Sequence, residues 1–237
     1  LPAVTHEAGQ WTIGAATPAA DLTRNAAFSA AFPGLSEGAG LIGSDQIQNR
    51  SSLGGNLANA SPAADSVPAL IANAGQAVIA TADGTRTVPA SEIVTGPGST
   101  SLADGEFIVE FTLADPPAGT GDAYLRLLPR TEMAIAIVGA AVRVTVDNDS
   151  ISDAIVVLGA VAPTAVIVPD AAAALVDTAV AGGNIDDNVL TALAEAASAA
   201  CDPIDDKRGT IAYRRQVAGV LAKRAAAIAV ERAQNGV

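Results

Sequence analysis

The chain has 237 residues, 50% of them hydrophobic but only 3% aromatic, so it can bury a sizeable core built chiefly from Ala, Val, Leu and Ile. Its formal charge of −12 argues against nucleic acid or an anionic membrane as a partner held by the protein's general field. The single cysteine, Cys201, excludes an internal disulfide and a cysteine-rich metal site, and it fits a reducing, cytoplasmic compartment.

In chain order, WTIGA (11–15) reads as a strand. A helix is then expected up to Phe32, with Thr17 as its cap, Pro18 at its first position and Pro33-Gly34 as its stop. A second helix is expected over 35–42, and a third from Pro62, capped by Ser61, to Ala74, ended by Gly75. QAVIATADGTRTVPA reads as a hairpin with Asp83-Gly84 as the turn signal, and FIVEFTL (107–113) as a further strand. ADPPAGTGDA (114–123) is the most Pro- and Gly-dense stretch and the best domain boundary, separating 1–117 from 118–237.

Beyond it lie three strand-like runs, AYLRLLP, AIAIVGAAVRVTVD and ISDAIVVLGAVAPTAVIV, with Asp147-Asn148-Asp149 turning between the last two. Successive strands with short turns predict an antiparallel sheet. Two helices close the chain: one in AAAALVDTAVAG or NVLTALAEAASAA, the other from about Ile211 to Gln234. In that last helix Val217, Leu221, Ile228 and alanines form an apolar stripe, with Arg214, Arg215, Lys223 and Arg224 read as lying off it. The fold class is α+β.

No apolar run is long enough to insert in a membrane; AIAIVGAAVRVTV is short and cut by charge. The first residues lack the charged start and apolar stretch of a signal peptide, and the missing initiating Met points to a processed chain or a fragment. From Lys207 onward there are seven basic residues against one acid, Glu231. That tail reads either as a solvated helix balancing an acidic body or as a docking surface for an acidic partner.

The stretch SLGGNLANASPAAD (52–65) asks for a chemical explanation. Glycines let a backbone approach a phosphate, exposed N–H groups solvate the anion, and Asn56 and Asn59 add side-chain donors and acceptors. The plainer reading is a tight turn followed by a capped helix. Gly54-Gly55 fits neither GxGxxG nor GxxxxGK[ST] spacing, so residue chemistry alone leaves both open.

QIQNRSSLGGNLANASPAADSVPAL (46–70) closely resembles the signature of the FAD-binding medium subunit of the molybdenum hydroxylases, the family of carbon monoxide dehydrogenase and xanthine dehydrogenase. WTIGAATPAADL, TGPGSTSLADGEFIVEFTL, YLRLLPRTEMAIAIVGAAV and DDKRGTIAYRRQVAGVLAKRA resemble the family's other segments in order and spacing, so the likeness covers nearly the whole chain. It implies a flavin-binding α/β subdomain followed by a C-terminal antiparallel sheet with helices. It also implies FAD contacts at Ser52, Leu53, Gly54, Gly55, Asn56 and Asp65, then Ile108 and Arg126, with Ile42 the weakest candidate. Arg126 stands where the family has Lys, and Ala134 where it has Asp. The family also carries an earlier subdomain with another glycine-rich phosphate loop. No such loop lies in the chain, and the expectation is that half of the diphosphate cradle is missing from it.

The resemblance implies an electron-transfer subunit. Its partners would be a large subunit with the molybdenum cofactor and a small one with [2Fe–2S] clusters, as a dimer of heterotrimers. A stand-alone flavin oxidase or dehydrogenase and a scaffold that has lost FAD are the alternatives. No residue is needed as a catalytic acid or base. His6, the only histidine, completes no triad or His-based metal site, and Cys201 reads as packed rather than reactive. The Asp186-Asp187 and Asp205-Asp206 pairs read as solvated, and Trp11 and the Phe residues as core.

Overall fold

The computed structural model describes residues 3–130 and 133–236. Strands β1 (Val4–Glu7) and β2 (Gln10–Gly14) form a hairpin. Six short helices follow: α1 (Ala19–Arg24), α2 (Ala26–Ala31), α3 (Pro33–Gly40), α4 (Asp45–Gln48), α5 (Leu53–Ala58) and α6 (Ser66–Ala72). Next come β3 (Gln76–Thr81), β4 (Gly84–Pro89), β5 (Val94–Gly96), β6 (Ser99–Thr100) and β7 (Phe107–Ala114). The second half holds β8 (Thr120–Leu127), β9 (Val138–Asp147), β10 (Ser150–Gly159) and β11 (Val166–Ile167). It ends in α7 (Pro169–Leu175), α8 (Asp187–Ala199) and α9 (Ile211–Asn235).

Two antiparallel sheets organise these elements, a five-stranded one ordered β1-β2-β7-β3-β4 and a four-stranded one ordered β11-β10-β9-β8. The β9–β10 turn falls on Asn148 and Asp149, both with positive φ (50° and 59°), the backbone that a two-residue hairpin loop requires. Alternation along β9 sends Val138, Ala140, Val142 and Val144 into the core under α7–α9, while Ala141 joins Tyr124 and Val157 in the core shared with the first sheet. The second sheet is therefore covered on both faces.

Several expected boundaries move. The helix expected to run unbroken to Phe32 is two, because Asn25 adopts extended backbone (φ −77°, ψ 99°) and its side chain caps α2 by accepting from Phe28 N–H. Thr17 does not cap α1; its hydroxyl pairs with the backbone of Ala3. Pro33-Gly34 starts α3 instead of stopping its predecessor, because a proline at the first helical position forfeits an N–H that has no partner there anyway. A Cβ on Gly34 would lie 2.9 Å from the backbone of Ala123 in β8, so the glycine is there for close packing. The helix expected from Pro62 begins only at Ser66, and the run up to Val168 divides into β10 and β11.

Arg214 is a further correction. It continues the buried face of α9 through Ala218, Ala222 and Ala225, with its side chain only 4% exposed. Its guanidinium donates to the Ile137 carbonyl (2.6 Å) and to Asp206 (2.7 Å). A docking role for Arg214 is excluded by that burial. Among the described residues no group of three or more His, Cys, Asp or Glu could hold a metal, and no helix is long and apolar enough to cross a membrane. Cys201 is buried, and burial pushes its thiol up to about 11, so it is inert.

Asp206 makes the C-terminal region acid-sensitive. The Arg208 backbone amide, with Arg214 and Arg208 side chains behind it, holds its carboxyl down at about 2. A lowered folded pKa gives stability that is present above the unfolded value of 3.8 and is lost as pH falls through about 2. Thermal melts across that window should show a falling midpoint, and Asp206→Asn should flatten the slope there; an unchanged slope would refute the assignment.

Candidate functional site

The SLGGN segment forms the first turn of α5, not a turn ahead of a helix. Ser52 is the N-cap, and its Oγ accepts from Gly55 N–H at 3.1 Å. Gly54 N–H donates to the Ala15 carbonyl (3.1 Å), and Ala15 N–H donates to the Val109 carbonyl (2.9 Å). Backbone hydrogen bonds thus tie α5, the end of β2 and β7 together. Val109 can face this way because β7 bulges there: Val78 pairs with Glu110 and Ile79 with Ile108, leaving Val109 over.

These segments border an open cavity of about 460 Å³ lined by Ala15, Ser52, Gly54, Gly55, Phe107 and Ile108, with Leu102 and Glu106 at its side. The two glycines have different duties. A Cβ on Gly54 would sit 2.6 Å from the Ala15 carbonyl oxygen, so this glycine allows helix and strand to touch. A Cβ on Gly55 would meet nothing nearer than Ser52 Oγ at 3.4 Å, so its missing side chain leaves space on the cavity side. The Gly54 and Gly55 amides are already spent inside the fold. The donor left over is the Ser52 hydroxyl proton, which has no acceptor among the described residues, whereas Leu53 N–H faces the Thr17 carbonyl across the Pro18–Ser52 bridge.

The other candidate residues divide. Ile108 is on the cavity wall. The Leu53 side chain is in the core, 1% exposed. Asn56 Oδ1 accepts from Ser66 N–H and Oγ–H (3.2 and 2.7 Å), tying α5 to α6. Asp65 and Arg126 do not line the cavity. They bind each other at 2.5 Å, and Asp65 also accepts from Tyr124 Oη–H at 3.0 Å. Burial pushes the Asp65 carboxyl above its ordinary range, only partly offset by Arg126 and Tyr124. Arg126 Nε is buried with no acceptor among the described residues. Ile42 packs against the first core.

Phe107, read from sequence as core, is 57% exposed at the cavity. Strand alternation with the buried Ile108 was the signal for it. Glu106, also missed, accepts from both Arg86 Nε and Nη2 (3.0 and 2.7 Å) and from Ala103 N–H, which fixes the loop at the cavity's edge. The Arg86 guanidinium, followed by that amide, holds the Glu106 carboxyl down at about 2.

Residues 1–115 match the family model described as the FAD binding domain in molybdopterin dehydrogenase, and residues 123–229 the CO dehydrogenase flavoprotein C-terminal domain. The class is thus a flavoprotein component of an oxidoreductase. The carbon monoxide dehydrogenase medium chain of Hydrogenophaga pseudoflava is 33% identical, over 95% of this chain and 76% of that one. Its counterpart from Afipia carboxidovorans is 34% identical, over 99% of this chain and 80% of that one. A solved carbon monoxide dehydrogenase from Hydrogenophaga pseudoflava superposes with a TM-score of 0.90 at 34% identity, covering 97% of this chain and 78% of the other. The chain belongs to the FAD-binding medium-subunit family of the molybdenum hydroxylases, of the carbon monoxide dehydrogenase and xanthine dehydrogenase type.

Proposed function

We propose that this chain is the electron-transfer subunit of a molybdenum-containing hydroxylase or dehydrogenase, working with FAD. Electrons reach it from [2Fe–2S] clusters on a small subunit, which draws them from the molybdenum cofactor of a large subunit, and they leave to an external acceptor. The assembly is a cytoplasmic dimer of heterotrimers, and the chain divides into a flavin-binding part, 1–117, and a C-terminal part, 118–237.

The observation that carries this reading is the cavity beside Gly55, bounded by Ser52 and by the apolar wall of Phe107 and Ile108. Its chemistry fits the coenzyme. Ser52 O–H is a neutral donor for a diphosphate oxygen, which matters in a protein of net charge −12, because contact-range dipoles act where the overall field repels. Phe107 and Ile108 offer apolar surface to a planar ring. FAD would supply the redox chemistry, and the protein would bind and orient it. Asp65 and Arg126 lie outside that cavity and act indirectly, their ion pair fixing the start of α6 against β8.

The test is the visible spectrum and metal content of the purified protein. Flavin absorbance, with molybdenum and iron co-purifying when partner subunits are co-expressed, is the expected result. Flavin without any associated metal would favour a stand-alone flavoenzyme, and a colourless protein would favour a scaffold.

A further inference from the structure

The chain contains two Asp-Gly pairs, Asp83-Gly84 and Asp104-Gly105, with all four residues exposed. At such a pair the carboxyl and the next backbone nitrogen can close a five-membered ring, because glycine has no Cβ to hinder the approach. Closure needs that nitrogen free. In Gly84 it is held. Ala82 and Asp83 connect β3 to β4, with Thr81 paired to Gly84. Ala90 N–H donates to the Gly75 carbonyl, and alternation along the ladder from there makes Thr81–Gly84 a mutually hydrogen-bonded pair.

Gly105 differs. It lies between β6 and β7 at φ 84°, in a turn that Glu106 N–H closes on the Ala103 carbonyl at 3.0 Å. Among the described residues its own N–H has no acceptor, and the Asp104 carboxylate has no donor. A Cβ built on Gly105 would meet nothing within 4 Å, so the ring has room to form. The turn is also bound from outside. Glu106 Oε2 accepts from Ala103 N–H (2.9 Å), and Arg86 grips the same carboxylate through Nε and Nη2. Glu106 and Phe107 both line the cavity proposed for the flavin.

We propose that Asp104-Gly105 is a site of isoaspartate formation, and that the conversion loosens the edge of the flavin cavity; the second half rests on the flavin reading above. The Gly105 nitrogen attacks Asp104 Cγ. An N–Cγ bond forms, a Cγ–O bond breaks, and the amide proton leaves with the hydroxyl of the protonated carboxyl as water. Water then reopens the ring. Addition at Cγ restores aspartate; addition at the main-chain carbonyl carbon breaks its bond to nitrogen and leaves isoaspartate. One water is lost and one regained, no electrons are transferred, and the negative charge is kept. The main chain, now running through Cβ and Cγ, is one carbon longer inside a turn fixed at both ends. That carbon opens the Ala103–Glu106 turn or displaces Glu106, and Phe107 follows.

The experiment ages the purified full chain, with its flavin, near neutral pH and below its melting temperature. Peptide maps read by electron-transfer fragmentation distinguish isoaspartate from aspartate. Isoaspartate should build up at 104–105 about tenfold faster than at 83–84, where a backbone hydrogen bond withholds the glycine amide. Flavin absorbance per mole should fall in parallel. Asp104→Ala removes the electrophile and should keep its flavin over the same period, whereas Asp104→Asn, which expels ammonia more readily than the acid expels water, should age faster. Equal rates at the two pairs, or no isoaspartate at 104–105, overturn the site. Isoaspartate there with full flavin retention overturns the effect on the cavity and leaves the flavin reading intact. A fresh chain that holds no flavin overturns that reading and the effect with it, while the peptide map still decides the site.

Discussion

Gly55→Val should release the flavin while leaving the fold intact, and Gly54→Ala should do the reverse damage. At Gly55 the new side chain enters the cavity, where only Ser52 Oγ is near, at 3.4 Å. Valine is a somewhat better helix former than glycine, by a few tenths of a kcal/mol, so no loss of melting temperature is expected. At Gly54 even one methyl group would press on the Ala15 carbonyl at 2.6 Å and on its Cβ at 2.7 Å. Overpacking of that kind costs about 1–3 kcal/mol. Flavin absorbance per mole and a thermal melt separate the two outcomes. Full flavin content in Gly55→Val would mean that the coenzyme lies elsewhere.

Arg214→Ala should cost about 3 kcal/mol, the upper end of what stranding a buried acceptor of a charged hydrogen bond costs, because Asp206 keeps Arg208 as a partner. The loss strands the Ile137 carbonyl, which Arg214 satisfies at 2.6 Å, and takes from Asp206 its 2.7 Å partner. In a chain of this size that corresponds to a drop of roughly 6–12 °C in Tm. Arg215→Ala, on the neighbouring exposed position, gives up one bond to the Cys201 carbonyl and should cost about 1 kcal/mol or less. A denaturant titration of both variants decides it: equal and small losses would show that Arg214 carries no structural weight.

The contrast between these two arginines shows where sequence reading reaches its limit. Adjacent residues on a helix differ by about 100° in direction, and the period placed α9 correctly. A charged residue on the buried stripe looked like an error of phase, because its partners, Ile137 and Asp206, come from other parts of the chain. Strands were more legible: apolar runs located β9 and β10, although β9 begins only at Val138, and Asp147-Asn148-Asp149 marked their turn. The first helices were misjudged because Asn25 and Pro33 are as compatible with starting a helix as with ending one.

The candidate site was legible as a motif but not as geometry. The resemblance gathered Ser52, Gly54, Gly55 and Ile108, which do share one cavity. Nothing in SLGGN says that the Gly54 amide is used by Ala15 or that Asn56 is used by Ser66. Those are long-range contacts, set by how β2 and α6 arrive. Phe107 was assigned to the core on its hydrophobicity, although the neighbouring Ile108 takes the inward position on β7.

The core of the first half borrows Tyr124, Ala141 and Val157 from the second sheet, and Asp65 relies on Tyr124 and Arg126 for its partners. Cutting the chain in the Pro- and Gly-rich stretch before β8 would therefore not yield two independent proteins. The amino-terminal product would carry a bare greasy flank and an unneutralised acid, and it should precipitate unless its other half is supplied in trans.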